Sequence, residues 1–464
     1  MSAVFEGAAL AVTDEFHWTT LGEIADVIGG GTPRTTDPTN FEGGDIPWIT
    51  PADLSGYTEK FISGGSRFIT RKGLESSSAR LLPTGAVLFT SRAPIGYVAI
   101  AKNPIATNQG FKSFVLKEGI LPEYVYWWLK GSKQTAESYA SGTTFLELSG
   151  ANAKKLPIPM VPLARQGEIV AEIETQFSRL DEAVANLKRV KANLKRYKAS
   201  VLKDAVEGRL VPTEAELARR EGRSFETGEQ LLQRILETRR KKWKGKGKSV
   251  TPDGPSVTNL AALPAGWTWA SAIQACEHVV DCHNKTAPYT TSGIPLVRTT
   301  NIRDGRLLLD EVRYVDQPTY EFWSRRCPPE PGDVLFTREA PMGEAGIIPP
   351  GVTLCLGQRT MLMRPSPAIT AGFLLSALLS PVVKDLIDRV AVGSGVKHLR
   401  VGDVERLPVP LPPIAEQLRI GAEIERRLSL VRQVETQAEL NVLRAERLRS
   451  SFLSKAFATT TKYP

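Results

Sequence analysis

The feature that most constrains this chain is a seven-residue apolar repeat that occurs twice. Between Leu163 and Val206 the series Ile173, Leu180, Leu187, Leu194, Val201 returns at every seventh position. Ile169, Phe177, Val184, Val190 and Tyr197 fill the places between. A seam sustained over about five heptads is the pattern of a helix that needs a second helix to cover it. At ~1.5 Å per residue this helix would be about 60 Å long. The chain carries a partner for it: Ile424, Val431, Ala438, Ala445 and Phe452 repeat the spacing. Both seams follow nearly the same words. Leu156-Pro157-Ile158-Pro159 with Pro162, Ala164 and Gln166 precedes one; Leu407-Pro408-Val409-Pro410 with Pro413, Ala415 and Gln417 precedes the other. Two such helices at matching places predict an antiparallel pair.

At 464 residues, 42% hydrophobic and 23% charged, the chain is long enough for two or three domains with cores of their own. It has no run of 18 apolar residues, so a membrane span is not expected. Residues 1–15 lack a basic flank and read as a loose tail rather than a signal peptide. The net charge of +9 permits attraction to nucleic-acid phosphates without requiring it. The four cysteines, Cys276, Cys282, Cys327 and Cys355, form no C-x-x-C pair and read as buried free thiols in a reducing cytoplasm. Cys276, His278, Cys282 and His283 are zinc-type residues at a spacing unlike the common structural zinc sites. The expectation there is a helix-to-loop segment with buried cysteines and exposed histidines, and no metal.

In chain order, residues 16–156 form a first block. Trp18 opens it, LGEIADVI follows with helical spacing, and Gly29-Gly30-Gly31 reads as a turn, lacking the Lys-Ser/Thr of a phosphate loop. Short runs at Ile46–Ile49, Arg67–Ile69, Ala86–Phe89, Tyr97–Ile100 and Phe114–Leu116 read as strands, and Glu123–Lys130 as a helix. The first helical region, 157–208, ends at Gly208. Residues 209–265 hold a helix capped at Thr227 and a basic run, Arg239 to Lys248, which is either a phosphate contact or a solvated linker. Residues 266–406 then echo the first block at an offset of about 250, and 407–458 is the second helical region, with a tail at 459–464. Gly266-Trp267-Thr268 answers His17-Trp18-Thr19, and Ile294-Pro295-Leu296-Val297 answers Ile46-Pro47-Trp48-Ile49. The run from Gly332 to Gly343 answers that from Gly85 to Gly96, Gln358 sits near the place of Gln109, and Gly393-Ser394-Gly395 answers Gly142-Thr143-Thr144. The fold class is α+β: two loop-rich mixed α/β domains in pseudo-twofold repeat, joined by two long antiparallel helices forming a coiled coil.

No catalytic constellation stands out. The chain has no Asn/Asp-Pro-Pro-Tyr/Phe, no G-x-G-x-x-G after a strand, no Walker A lysine and no H-E-x-x-H, and it has four histidines. Asp53 with Glu59 and Lys60 resembles a nuclease carboxylate cluster only at a spacing that chance explains. What remains is two modules with polar, basic loops, whose Arg, Asn, Gln and Thr side chains are suited to base edges in the major groove. The candidates are Arg34, Thr35, Arg92, Asn108 and Gln109 in the first block. In the second they are Arg298, Asn301, Arg338, Gln358, Arg359, Lys397 and His398. Arg92 and Arg338 read as matching positions, suited to the shared scaffold or to phosphate as much as to a base.

These anchors together resemble the DNA-specificity subunit of type I restriction–modification systems. They are the doubled G-x-VLFT-x-R, the doubled LP-[IV]-P before a long helix, and the ending Val201-Leu202-Lys203-Asp204-Ala205-Val206-Glu207-Gly208-Arg209-Leu210. The resemblance runs from about Phe16 to Phe457. It implies two target-recognition domains, each reading one half of a bipartite double-stranded DNA site, on a helical pair that sets the spacing. It implies two adenine methyltransferase subunits docked on that pair, and restriction/translocase subunits. S-adenosylmethionine, ATP and magnesium would sit on those partners, with no cofactor and no catalysis in this chain. A stand-alone nuclease or methyltransferase, or a tethering protein that binds no DNA, are the competing readings; binding of S-adenosylmethionine by the isolated chain, or a failure to bind DNA, would distinguish them.

Overall fold

The computed structural model describes residues 16–142, 146–242, 251–256, 260–283 and 285–457. The tails, Thr143 and Thr144, and the basic run from Trp243 to Lys248 lie outside the described residues. Both seams are single helices, Leu163–Val206 and Ile414–Ala456. The chain divides into two compact units, residues 1–188 with 439–464, and residues 189–438. Each long helix therefore contributes one part to each unit.

In the first unit Ile169, Val170 and Ile173 pack with Leu453, Ala456 and Phe457, and Asp181 pairs with Arg449, whose guanidinium lies 5.4 Å from the centre of the Phe177 ring. In the second, Val201, Ala205 and Val206 pack with Ile420 and Ile424, and Lys198 meets Glu435 at 2.7 Å. Rising numbers on one helix face falling numbers on the other in each unit, so the pairing is antiparallel. Ile173, Leu180, Val201, Ile424, Val431, Ala438 and Ala445 are buried, and Leu187, Leu194 and Phe452 are half-buried. Two of the intervening residues depart from expectation: Val190 and Tyr197 are 38% and 43% exposed. They stand three residues after a seam position, whereas Phe177 and Val184 stand four after, and that change takes them off the covered face. Lys198 holds the seam position instead and reaches Glu435.

The first block is built on a five-stranded sheet in the order Ala25–Gly29, Lys112–Leu116, Val87–Phe89, Val98–Ala101, Phe61–Ile62, beside a three-stranded sheet of Arg67–Ile69, Ile46–Ile49 and Ala106–Thr107. LGEIADVI is not one helix. Leu21–Ile24 makes a single turn, and Ala25–Gly29 then pairs with Lys112–Leu116, so tertiary pairing overrides the helical spacing. The triple glycine allows close backbone approach: a Cβ on Gly30 would stand 1.9 Å from the Asn108 carbonyl oxygen, and one on Gly31 2.1 Å from the Ala79 nitrogen.

The second block repeats this plan. Its main sheet runs Cys276–Asp281, Thr360–Pro365, Val334–Thr337, Ala345–Ile347, and its three-stranded sheet is Arg313–Val315, Ile294–Val297, Cys355–Leu356. Cys276 thus begins a strand rather than ending a helix, because its segment pairs with Thr360–Pro365. Cys276 and Cys282 are buried, His278 is exposed and the His283 ring lies 4.7 Å from that of Trp323. The opening strands correct the sequence match. Trp18 lies opposite Pro159 and Trp269 opposite Pro410, so Trp269, not Trp267, is the counterpart of Trp18. A glutamine ties each block to its long helix. Buried Gln166 accepts from the Leu121 amide (2.9 Å) and donates to Val161 O (3.0 Å). Buried Gln417 accepts from the Thr370 amide (2.9 Å) and donates to Ala368 O (2.8 Å) and Pro412 O (3.0 Å). The second unit also holds Glu214–Glu221, capped by Thr213 and Glu216, and Gly228–Lys242, capped by Thr227 and Gln230; Leu231 and Ile235 of the latter pack on Ile414.

Candidate nucleic-acid interface

In each block the VLFT strand runs into a turn that organises the neighbouring loops. Thr90 Oγ1 donates to Pro94 O (2.7 Å) and accepts from the Tyr97 amide (2.8 Å). Thr337 Oγ1 donates to Pro341 O (2.5 Å) and accepts from the Glu344 amide (2.9 Å). Ala93 and Ala340 have φ of +50° and +48°, a left-handed conformation that non-glycine residues seldom adopt. Beyond the turn, Ser141 and Glu147 exchange paired backbone bonds, as do Val392 and His398 in the second block. The next residue is tied to the turn through Leu148 N to Ser91 O (2.9 Å) or Leu399 N to Arg338 O (3.0 Å). Another loop brings Gln109 or Gln358 alongside, through Ser91 N to Gly110 O (2.7 Å) or Arg338 N to Arg359 O (2.8 Å).

These bonds correct the match of Arg92 with Arg338. Arg338 occupies the place of Ser91, and Arg92 that of Glu339; the shared Ala-Pro, not the shared arginine, sets the register. The charges are accordingly exchanged. Arg92 meets Glu147 at 3.4 Å, with Lys112 3.9 Å from the same carboxylate, whereas Glu339 meets Arg359 at 3.0 Å. Burial pushes the Lys112 ammonium down from its usual range, with Glu147 opposing that shift and Arg92 adding to it. Arg338 donates to Leu399 O at 2.9 Å, so its role is to hold the loop.

In the second block the loops enclose a cleft of about 180 Å³, lined by Tyr289, Arg298, Thr299, Gln358 and Arg359 among others. Arg298 Nε is buried and unpaired there, a donor suited to a base edge or a phosphate. The structure thus brings Arg298, Gln358 and Arg359 together, with exposed Lys397 and half-buried His398 on the loop that bridges to Glu339. In the first block Arg34 and Thr35 have exposed side chains, and Gln109 is exposed with its amide oxygen bonded by Thr32. Asn108 and Asn301 serve the scaffold. Asn108 Oδ1 accepts from the Gly110 amide at 2.9 Å. Asn301 is 5% exposed, with its side chain bonded to Arg298 N and Glu311 O, and so is withdrawn from the candidate readers. Asp53 is its counterpart. Burial opposes its charge, but bonds from Ser66 and Thr50 outweigh that and hold its carboxyl below the usual range. Lys60 pairs with Glu174 rather than with Asp53. The sequence reading missed Lys112 and Tyr289; an aromatic residue in a polar loop is the signal that would have found the latter.

Residues 14–196 match the type I restriction modification DNA specificity domain. The specificity subunit of the type I restriction enzyme MjaIX from Methanocaldococcus jannaschii is 43% identical over 169 residues, 36% of this chain and 38% of that one. The EcoBI specificity subunit of Escherichia coli is 22% identical over 461 residues, 97% of this chain and 86% of that one. Residues 14–196 thus carry the type I restriction modification DNA specificity domain. The matches to the MjaIX and EcoR124I/EcoR124II subunits span less than half of those proteins, 38% and 43%. The fold is that of solved type I restriction–modification subunits. The HsdS subunit of Thermoanaerobacter tengcongensis superposes with a TM-score of 0.53 at 17% identity, covering 97% of this chain and 98% of that one. A chain from a type I R-M system solved in a study of complex assembly gives 0.62 at 19%, covering 97% and 99%. In this chain the matched turns, loops and glutamines form the shared frame, and the cleft residues Arg298 and Arg359 stand where the first block has Thr50 and Gly110.

Proposed function

We propose that this chain is the non-catalytic specificity subunit of a type I restriction–modification complex, reading a bipartite double-stranded DNA site with one block per half-site. The observation that carries this is the doubling itself: the same frame, closed by Gln166 and by Gln417, bears loops that differ in charge and shape. That is how one scaffold serves two different ligands. Two adenine methyltransferase subunits and the restriction/translocase subunits are its partners, and S-adenosylmethionine, ATP and magnesium belong to them. The polar side chains of the loops offer donors and acceptors for base edges, and the net charge of +9 favours the phosphate backbone.

The test is selection from a randomised duplex library by the chain assembled with its methyltransferase partner. The expected product is a motif of two specified halves. Exchanging residues 16–156 for those of another family member changes one half and leaves the other as it was. Recovery of no motif, or alteration of both halves, overturns the proposal.

A further inference from the structure

Arg67 and Arg313 hold the same place in the two blocks. Arg67 lies on the edge strand Arg67–Ile69, opposite Trp48; Arg313 lies on the edge strand Arg313–Val315, opposite Leu296. Trp48 and Leu296 are themselves counterparts, since each pairs in parallel with the strand before the Gln109 or Gln358 loop. Both arginines are exposed. Each lays its guanidinium over an aromatic ring supplied from earlier in the block. Arg67 stands 5.4 Å from the ring centre of Phe41 and 5.8 Å from that of Trp48, and Arg313 stands 5.7 Å from that of Tyr289.

Three other arginines of the loops have partners: Arg92 has Glu147, Arg338 has Leu399 O and Arg359 has Glu339. Among the described residues, the guanidinium groups of Arg67 and Arg313 have no carboxylate and no hydrogen-bond partner. A guanidinium stacked on a ring is held in place while its N–H edge stays free, which lowers the entropy lost on meeting an anion. The surrounding loops differ between the blocks, so a ligand met by an identical residue in both is one that both half-sites share. Base sequence is not shared; the phosphate backbone is.

We propose that Arg67 and Arg313 are paired phosphate contacts, one per block, that position each block on its half-site without reading a base. This rests on the DNA-reading function proposed above. The experiment uses the chain assembled with its methyltransferase partner and a duplex carrying the motif that the wild-type complex selects. Affinity is measured across a salt series for Arg67→Ala, Arg313→Ala, the double variant, and the two Arg→Lys variants. Each alanine lowers the slope of log affinity against log salt by about 0.9, and the double variant by about twice that, since each contact releases its counterions. The selected motif is unchanged. The lysine variants retain the slope, because the charge remains, and bind more weakly, because the planar stack is lost. A wild-type slope in the double variant, or a changed base preference in either half-site, overturns the inference. If the wild-type complex selects no motif, the DNA-reading function fails first.

Discussion

The first turn of each long helix shows how far the two units diverge on a common plan. In the first unit Arg165 and Glu168 pair with each other at 2.6 Å, and Leu163 beside them is 53% exposed. In the second the charges are reversed, as Glu416 and Arg419, and the helix Glu214–Glu221 lies across them. Glu416 accepts from the Glu214 amide at 2.8 Å, and Glu214 pairs with Arg419 at 2.7 Å and Arg223 at 2.6 Å. Burial opposes the charge of Glu214, but Arg419 and Arg223 outweigh it and keep its carboxyl below the usual range. Glu416 is fully buried, and burial pushes its carboxyl up despite the Glu214 amide, Trp267 and Arg419. The glutamine one residue on, Gln166 or Gln417, makes the same bonds in both units. The frame carries the charges in opposite order and keeps the clasp in both units, and the clasp satisfies buried backbone groups.

The largest expected effect tests that clasp. Gln417→Leu leaves the Thr370 amide and the Ala368 and Pro412 carbonyls without their side-chain partner, and costs about 3 kcal/mol in a denaturant titration of the full chain. Gln166→Leu costs a similar amount; a large loss from only one variant breaks the equivalence of the two frames. A middle effect sharpens the difference between the loops. Arg298→Ala in the assembled complex relaxes the preference for one base pair of the second half-site by about 2 kcal/mol and leaves the first half-site untouched. Loss of preference in the first half, or none in the second, removes Arg298 from the readers.

The smallest effect is on pH dependence. The folded state raises the Glu416 carboxyl above its unfolded value, so its contribution is fully present below the unfolded value and is lost as pH rises through the folded one. Glu416→Gln removes that loss and raises stability at neutral pH. The variant should show a flatter stability profile than the wild type from the ordinary glutamate range upward. The first unit carries Arg165 at this place, not a carboxylate. An identical profile in variant and wild type shows that Glu416 does not titrate on unfolding.

Much of the frame was legible in the sequence. The seven-residue seam, the doubled Leu-Pro words and the strands Ile46–Ile49 and Arg67–Ile69 were all readable, because period and turn residues are local quantities. The candidate site was legible in part. Loop location brought out Arg298, Gln358 and Arg359, which do share a cleft. Asn301 has the composition of a reader, but its burial is a tertiary fact. The matches of Trp18 with Trp267 and of Arg92 with Arg338 failed by one or two residues. Register is set by which backbone groups pair, and identical letters nearby do not record that.

The sequence by itself determined that this protein has two like halves, two long helices, and loops rich in groups that suit DNA, since repetition, periodicity and composition need no coordinates. Only the tertiary structure decided which of those groups stay available. Whether an arginine faces a carboxylate, as Arg92 and Arg359 do, or a ring, as Arg67 and Arg313 do, depends on residues far away in the chain. Pairing of that kind is fixed by how strands and loops pack, and that packing leaves no period in the sequence.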